Sequence, residues 1–343
     1  MLKQNLHYAE FYITNVCNLA CDNCNRYNNF AFTGHDRWAD WADEYHKWSQ
    51  VLNLIDIGII GGEPMLNPDF LNWMHGIADL WSTSHIKIIT NGTQFDRWPT
   101  LYQDLARYQG QIVLSVTEHA ADRYEQTQQR LLKFLDQPTT DYVVYNDFLW
   151  RIRYQELQQP DWPECRTVQA FFNLSKDLQQ LIGLNPEDFY QGPNTNTRSW
   201  QDRNGVRILI DDTPVFAGSA VKYNLDSGTL RLRNSRPQDA IQVCPFKICH
   251  HFIKGRLYKC GPVGILPEFV RQFPVEITDQ ERELLNSYRP AQADWNTQEL
   301  EQFVQGLKNV DAIDQCRFCP DQISIRDGGP VNAYQKKIRI KKI

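Results

Sequence analysis

The sequence predicts an α/β fold with a parallel sheet, open or curled into a barrel. Strand-like and helix-like stretches alternate through the first half of the 343-residue chain. Glycine-rich or polar motifs also follow the ends of several predicted strands. Repeated βα units pair their strands in parallel. Active sites of such folds gather at the carboxyl ends of the strands, so we expect the motifs to meet there.

The predicted elements follow from apolar periodicity and from turn residues. The first strand, 10–14, leads directly into a cysteine-rich loop, the second, 54–60, stops at Gly61-Gly62, and His85–Thr90 stops at Asn91-Gly92. The other predicted helices lie at 40–53, 68–81, 98–108 and 124–135, and the other strands at 111–116 and Tyr142–Tyr145. Two hairpins are also predicted. The first covers 206–216 with its turn at 211–214, and the second covers 250–259 with its turn at Lys254-Gly255.

Composition excludes several classes of protein. The formal net charge of −5 and the pI of about 5.9 provide no basic field for nucleic acid. The first residues lack the apolar core of a signal peptide, and no apolar run reaches the length of a membrane span. We therefore expect a cytoplasmic protein without a membrane or nucleic-acid partner.

Nine cysteines in such a protein favour metal or redox chemistry over disulfides. Cys17, Cys21 and Cys24 have the spacing C-x3-C-x2-C. A cubane iron–sulfur cluster normally takes four thiolates, so three leave one iron open, and open metal sites usually carry out chemistry. Zinc is the alternative metal, but it prefers four ligands and no histidine follows closely.

Together with Gly61-Gly62-Glu63-Pro64 after the second strand, the cysteine motif resembles the radical SAM superfamily. The segments Asn91-Gly92 and Ser115-Val116-Thr117 also resemble positions used by that family. The resemblance covers roughly residues 8–150 and implies a partial, TIM-like (β/α)6 barrel. It implies that Cys17, Cys21 and Cys24 hold a [4Fe-4S] cluster whose open iron chelates S-adenosylmethionine.

The resemblance also implies the chemistry. One electron, from a donor such as flavodoxin or ferredoxin, would cleave S-adenosylmethionine to a 5'-deoxyadenosyl radical that abstracts hydrogen from the substrate. At position 23 many family members have an aromatic residue in place of asparagine. The residues that the resemblance assigns to S-adenosylmethionine are Asn23, Gly61, Gly62, Glu63, Pro64, Asn91, Ser115 and Thr117.

A second group of thiols lies in the last third of the chain. The pattern Cys244, Cys260 and then Cys316-x2-Cys319 resembles the twitch version of the SPASM-type auxiliary domain. It implies a second, fully ligated [4Fe-4S] cluster, with a structural zinc ribbon as the alternative. The implied division is a radical SAM core at 1–150, the rest of the barrel with a substrate-specific insertion at 151–235, and a small auxiliary-cluster domain at 236–343.

The leading functional hypothesis is a two-electron oxidation of a small polar substrate, such as a sugar, a cyclitol or a nucleotide, with the second cluster accepting an electron. The first alternative is a maturase of ribosomally made peptides that crosslinks or epimerises its substrate, with Cys165 or Cys249 as hydrogen donor. A non-catalytic iron–sulfur or zinc scaffold is the second alternative. Oxidation needs a base, and the candidates near predicted strand ends are Glu118, His119, Asp147, Arg151 and Arg153. For each, a solvated or salt-bridged surface role is the alternative.

Overall fold

The computed structural model describes part of the chain. The described residues are 3–21, 24–108, 110–118, 130, 133–134, 142–145, 197–201, 206–212, 215–216, 219–224, 227–244, 247–322 and 324–325. Fourteen strands and seven α-helices lie within these ranges.

The strands are β1 (Gln4–Tyr12), β2 (Leu52–Ile60), β3 (His85–Thr90), β4 (Ile112–Glu118), β5 (Tyr142–Tyr145), β6 (Thr197–Gln201), β7 (Arg207–Asp212), β8 (Val215–Phe216), β9 (Val221–Asn224), β10 (Thr229–Leu232), β11 (His250–Ile253), β12 (Arg256–Tyr258), β13 (Val275–Glu276) and β14 (Ser324–Ile325). The helices are α1 (Trp38–Val51), α2 (Phe70–Leu80), α3 (Leu101–Arg107), α4 (Pro237–Val243), α5 (Gly261–Gln272), α6 (Asp279–Ser287) and α7 (Thr297–Lys308).

One large sheet organises the molecule. Its nine strands have the order β12-β11-β1-β2-β3-β4-β7-β6-β5. Parallel pairings run without a break from β11 to β7, and β6 and β12 pair antiparallel with their neighbours. Seven of the nine strands therefore point the same way. This confirms the predicted α/β class with a parallel sheet.

Pairing between distant segments sets the far side of the large sheet. The strand beside β4 is β7, and β5 pairs antiparallel with β6 at the edge of the sheet. The predicted hairpin at 206–216 is wrong, because in the described residues β7 joins the large sheet while β8 pairs with β14. Strands this short find their partners through contacts between distant segments, which local turn signals do not specify.

The predicted hairpin at 250–259 is confirmed, and it extends the large sheet. β11 and β12 pair antiparallel, and β11 pairs in parallel with β1. The turn residues Lys254 (φ 49°) and Gly255 (φ 70°) both adopt left-handed backbone conformations, as a tight two-residue hairpin turn requires. Helix α1 fixes this turn: Trp48 Nε1 donates to Gly255 O at 2.8 Å, and Gly255 N donates to Tyr45 Oη at 3.1 Å.

The helices α1 and α2 pack on one face of the sheet because their apolar residues recur at helical spacing. In α2 the buried residues are Phe70, Trp73, Met74, Ile77 and Ala78. Of the helix predicted at 124–135, the described residues 130, 133 and 134 are helical. No helix in the described part of the chain is both long enough and apolar enough to cross a membrane.

Two apolar cores result. The larger one lies between the sheet and its helices and includes Phe11, Trp48 and Phe252. The second, which we call the inner core, includes Tyr12 and Ile60 from the strand ends and Tyr27 from the loop after the cysteines. The side chains of β1 alternate in direction and so contribute to both cores, because Phe11 and Tyr12 point to opposite faces of the sheet. The inner core also receives Phe269 of α5 and Phe318, which lies between Cys316 and Cys319.

Candidate active site

The predicted site motifs meet at one edge of the large sheet. The parallel register places the ends of β1 and β2 together through Tyr12 and Ile60, and the ends of β3 and β4 together through Thr90 and Val116. The cysteine loop, Gly61-Gly62 and Asn91-Gly92 begin directly after these ends. The expectation that the motifs gather at the carboxyl ends of the strands is confirmed.

The three cysteines of the first motif lie in one cluster. Cys17, Cys21 and Cys24 pack with Leu19, and Cys21 is buried while the other two are half-buried. Two N–H groups face the sulfur of Cys17, from the backbone of Leu19 at 3.4 Å and from Asn91 Nδ2 at 3.9 Å. N–H donors favour the thiolate form, which is the form that binds metal. This donor set fits a loop that carries thiolate ligands.

Gly61 and Gly62 bring the chain after β2 against the chain that leads to Cys17. Gly62 N donates to Thr14 O at 2.8 Å, and Glu63 N donates to Val16 O at 2.8 Å. A β-carbon on Gly62 would lie 2.3 Å from Val16 O, and one on Gly61 would lie 2.7 Å from Thr14 O. Both glycines are therefore needed for the close approach of two backbone segments.

Glu63 is a buried anchor beside the glycines. Its carboxylate accepts hydrogen bonds from Thr90 Oγ1 at 2.6 Å, from Asn91 N at 2.7 Å and from Met65 N at 3.1 Å. Burial raises the pKa of Glu63 to about 7, although these hydrogen bonds oppose the shift. Its side chain thus ties the end of β3 to the loop after β2. Pro64 is buried and begins a short 3-10 helix there.

Asn91 connects the loop after β3 to the cysteine loop. Its Nδ2 donates to Asn18 Oδ1 at 2.9 Å, and Asn18 Nδ2 donates to Thr93 Oγ1 at 2.8 Å. Gly92, with φ 70°, makes the turn that the loop needs. Asn18 lies between two of the cysteines in sequence, so this amide pair fixes the cysteine loop against the sheet edge.

The remaining predicted site residues have mixed outcomes. Ser115 is buried in β4, Thr117 is half-buried near the end of β4, and Glu118 ends the strand opposite Asp212 of β7. The other candidates lie outside the described residues: Asn23, His119, Asp147, Arg151, Arg153 and Cys165.

The second group of thiols is assembled from three segments. Cys244 follows α4, and Cys260 precedes α5. Cys316 lies in the 3-10 helix Asp314–Phe318, and Cys319 directly follows that helix. Burial, together with the thiols of Cys244 and Cys316, raises the pKa of Cys260 to about 12. Burial, together with the thiols of Cys260, Cys316 and Cys244, raises the pKa of Cys319 well above its usual range. The four thiols therefore lie close enough to affect one another electrostatically.

Cations and an N–H donor surround this second group. Lys259 is buried, and its charge acts on both Cys260 and Cys316. Arg233 acts on Cys319. A backbone hydrogen bond from Val263, in the first turn of α5, also reaches Cys260. These features counteract the cost of gathering four anionic thiolates in one place, so the residues fit a metal cluster.

Within the described part of the chain, no three side chains of His, Cys, Asp or Glu surround one point closely enough to hold one metal ion. At the second group of thiols a structural zinc ribbon, with four ligands around one atom, stays the alternative to a cluster.

Sequence reasoning missed a buried ionic network under the cysteine loop. Glu10 of β1 contacts Arg26 and His251, and all three are largely enclosed. The one sequence signal was a glutamate inside the apolar stretch 9–13. Arg26 and His251 lie far from it in the chain and carry no comparable signal. Burial alone would raise the pKa of Glu10, but its contacts with His251 and Arg26 and the hydrogen bond from Tyr8 hold that pKa at about 2.

Comparisons with known proteins give partial structural likenesses. The crystal structure of Streptococcus suis SuiB bound to S-adenosylmethionine has 18% identity and a TM-score of 0.31, over 38% of this chain and 30% of that one. SuiB bound to its precursor peptide SuiA gives 18% identity and a TM-score of 0.31, over 38% and 29%. Native anSMEcpe with AdoMet and the Cp18Cys peptide gives 15% and 0.30, over 38% and 41%.

These likenesses are weak and cover a minority of each molecule. This chain spans about a third of the length of the SuiB chains that it matches. No protein-family model matches the chain, and no curated protein matches it. At such TM-scores the likenesses establish neither a shared fold nor a shared activity.

Proposed function

We propose that this protein is a radical SAM enzyme. The observation that carries the proposal is the convergence of three thiols in one loop at the carboxyl edge of a parallel sheet. N–H donors face Cys17, and Asn91 and Glu63 anchor the loop from the neighbouring strand ends. A [4Fe-4S] cluster held by Cys17, Cys21 and Cys24 has one iron free to bind S-adenosylmethionine.

When bound, a cluster and S-adenosylmethionine would supply radical chemistry that removes hydrogen from a substrate. The protein's residues hold and orient this chemistry. Glu63 ties the loop after β2 to the end of β3, and Gly61 and Gly62 let that loop pack against the chain that leads to Cys17. Asn91 keeps the cysteine loop closed on the sheet edge. Leu19 covers the thiols with apolar surface, which limits the access of water.

We further propose that Cys244, Cys260, Cys316 and Cys319 hold a second [4Fe-4S] cluster and that the reaction is a two-electron oxidation of a small polar substrate. A hydrogen abstraction removes one electron, so a closed-shell product requires a second acceptor. The inner core supports this proposal, because it packs Tyr27, three residues after Cys24, against Phe269 of the helix that follows Cys260. The two thiol groups thus share one packed interior.

Iron content and S-adenosylmethionine cleavage test the proposal. Anaerobic reconstitution should give about eight irons per chain, because each cubane holds four. After reduction, the protein should release 5'-deoxyadenosine. The triple replacement of Cys17, Cys21 and Cys24 by Ala should leave about four irons and abolish that release.

Replacing Cys249 by Ala provides the matched control for the iron count, because Cys249 belongs to neither proposed ligand set and its loss should leave about eight irons per chain. Zinc in place of iron at the second site would contradict the auxiliary cluster. Release of 5'-deoxyadenosine by the triple variant would overturn the ligand assignment of the first.

One observation favours epimerisation of a peptide as a second candidate function. The Cys249 thiol lies close enough to act electrostatically on Arg26, which follows Cys24 by two residues. A thiol at this position could return a hydrogen atom to a substrate radical, as an epimerase requires. The thiyl radical left behind would regain the thiol by taking one electron from the electron donor that also reduces the first cluster and one proton from solvent. Solvent deuterium in a peptide product, lost in Cys249→Ala, would favour this function over oxidation.

A further inference from the structure

We propose that the small cavity between Arg26 and His251 binds an anionic oxygen of the substrate, from a carboxylate or a phosphate group. The inference rests on the proposed function and adds to it the chemical class of the substrate. None of the residues singled out in the sequence lines this cavity. Its described lining is Asn25, Arg26, His251, Gly261 and Pro262.

The cavity lies between the two groups of cysteines. Arg26 follows Cys24 by two residues, and Gly261 follows Cys260 directly. Its volume of about 10 Å³ is room for one water-sized group, hence for one oxygen atom. A substrate held here by one oxygen would extend toward a site flanked by both proposed clusters.

Two buried donors in the cavity wall lack hydrogen-bond partners. Within the described residues, neither Arg26 Nε nor His251 Nε2 makes a hydrogen bond of acceptable geometry. His251 Nε2 lies 2.8 Å from Glu10 Oε2, a charge contact that does not meet hydrogen-bond geometry. His251 is only 3% exposed. A buried donor without a hydrogen-bond partner is costly, and a ligand oxygen between the two would satisfy both.

A cation, an imidazole and a helix end surround the cavity. The single carboxylate of Glu10 lies between the guanidinium of Arg26, at 3.0 Å, and the imidazole of His251. Tyr8 Oη donates to the other oxygen of Glu10 at 2.8 Å. The amino end of α5, which is twelve residues long, adds the positive end of a helix dipole through Gly261 and Pro262.

Two glycines leave the space that this arrangement needs. A β-carbon on Gly261 would lie 2.7 Å from His251 Nε2 and would fill the cavity at the donor atom. A β-carbon on Gly58 would lie 2.7 Å from Tyr8 Oη and 2.9 Å from Glu10 Cγ. Gly58 pairs with Glu10 across β1 and β2, and Glu10 pairs with His251 across β1 and β11. The strand register therefore brings Glu10 and His251 of the ionic network together.

Binding of formate and of inorganic phosphate to the reconstituted protein tests the inference. The urea midpoint should rise with formate or phosphate and stay unchanged in chloride at equal ionic strength, since a ligand that binds only the folded state stabilises it. Gly261→Ala and His251→Gln should each lose at least tenfold in affinity. Gly264→Ala, on the same helix but with its methyl group against Ile253, is the matched control and should bind as the wild type does.

Every outcome decides the question. A response to formate alone assigns a carboxylate, and a response to phosphate alone assigns a phosphate. No response in the wild type, or an equal response in Gly261→Ala, overturns the inference. Release of 5'-deoxyadenosine is measured in the same preparation. Intact release without anion binding rejects only the cavity, whereas anion binding without release rejects only the proposed radical chemistry.

Discussion

At the scale of single residues, the site depends on buried polar side chains that the protein itself satisfies. Glu63, Asn91 and Asn67 each bridge two segments at the carboxyl edge of the sheet. Asn67 Nδ2 donates to Ile13 O at 2.7 Å and to Asp36 O at 2.8 Å. Buried polar groups of this kind are costly unless paired, so their pairing fixes the loops in one arrangement.

Burial works against the charge of Asp36, as it does against that of Glu63. Burial raises the pKa of Asp36 to about 6, although Lys254 opposes the shift. The folded-state pKa thus exceeds the unfolded value, so this group stabilises the fold below pH 4 and weakens it as the pH rises through 6. Asp36→Asn should therefore be more stable than the wild type at pH 8, by about 1–3 kcal/mol, and equal to it near pH 4.

Urea unfolding between pH 4 and pH 8 measures this difference. Asp40→Asn is the control, because Asp40 is exposed and pairs with Arg37, and the loss of such a surface pair changes stability little. A constant difference between Asp36→Asn and the wild type across this pH range would contradict the assignment.

At the scale of elements, the meeting of β1 and β2 positions the cysteine loop. Gly62→Ala would place a methyl carbon 2.3 Å from Val16 O and 2.5 Å from Val16 C. Backbone atoms cannot relieve such a clash by a rotamer change as a flexible side chain can. The segment before Cys17 must therefore shift. We expect a loss of about 1–3 kcal/mol of stability and a loss of iron from the first cluster, with the second retained.

Iron content and urea midpoint together measure that effect. Gly306→Ala is the matched control, since its methyl group meets nothing within 4 Å and the change lies inside α7. There Ala should stabilise the helix by up to about 1 kcal/mol. Full iron occupancy in Gly62→Ala would show that the close approach of the two backbones does not position the ligands.

Local patterns predicted the elements and motifs of the first half of the chain. Each of these patterns depends on residues that lie close together in the sequence: the cysteine spacing, the glycine pair and the helical spacing of α2. The network of Glu10, Arg26 and His251 could not be predicted in this way, because it requires β11 to lie beside β1 across about 240 residues of sequence. The position of β7 beside β4 has the same origin. Both depend on long-range pairing, which short stretches of sequence do not encode.

At the scale of the whole molecule, the C-terminal segments are part of the same packed body as the sheet. Phe252 of β11 stacks on Phe11 of β1 with ring centroids 4.8 Å apart. Phe269 of α5 lies 4.8 Å from Tyr27 and 5.2 Å from Phe30. Since both thiol groups border the inner core, we expect the two sites to form and to be lost together when the chain unfolds.

Phe269→Ala tests this coupling most directly. Phe269 is fully buried against aromatic rings from the loop after the cysteines and from its own helix. Its removal should cost about 3–5 kcal/mol, a large share of a typical folding free energy of about 5–15 kcal/mol. Because the core is shared, the urea transition should move to lower concentration and remain single, with tryptophan fluorescence and circular dichroism changing together.

Phe303→Ala, at a half-buried position that packs against Trp295, should shift the midpoint less. An early, separate transition in Phe269→Ala, with the fluorescence of the sheet-side tryptophans unchanged, would instead mean that the C-terminal segments fold on their own.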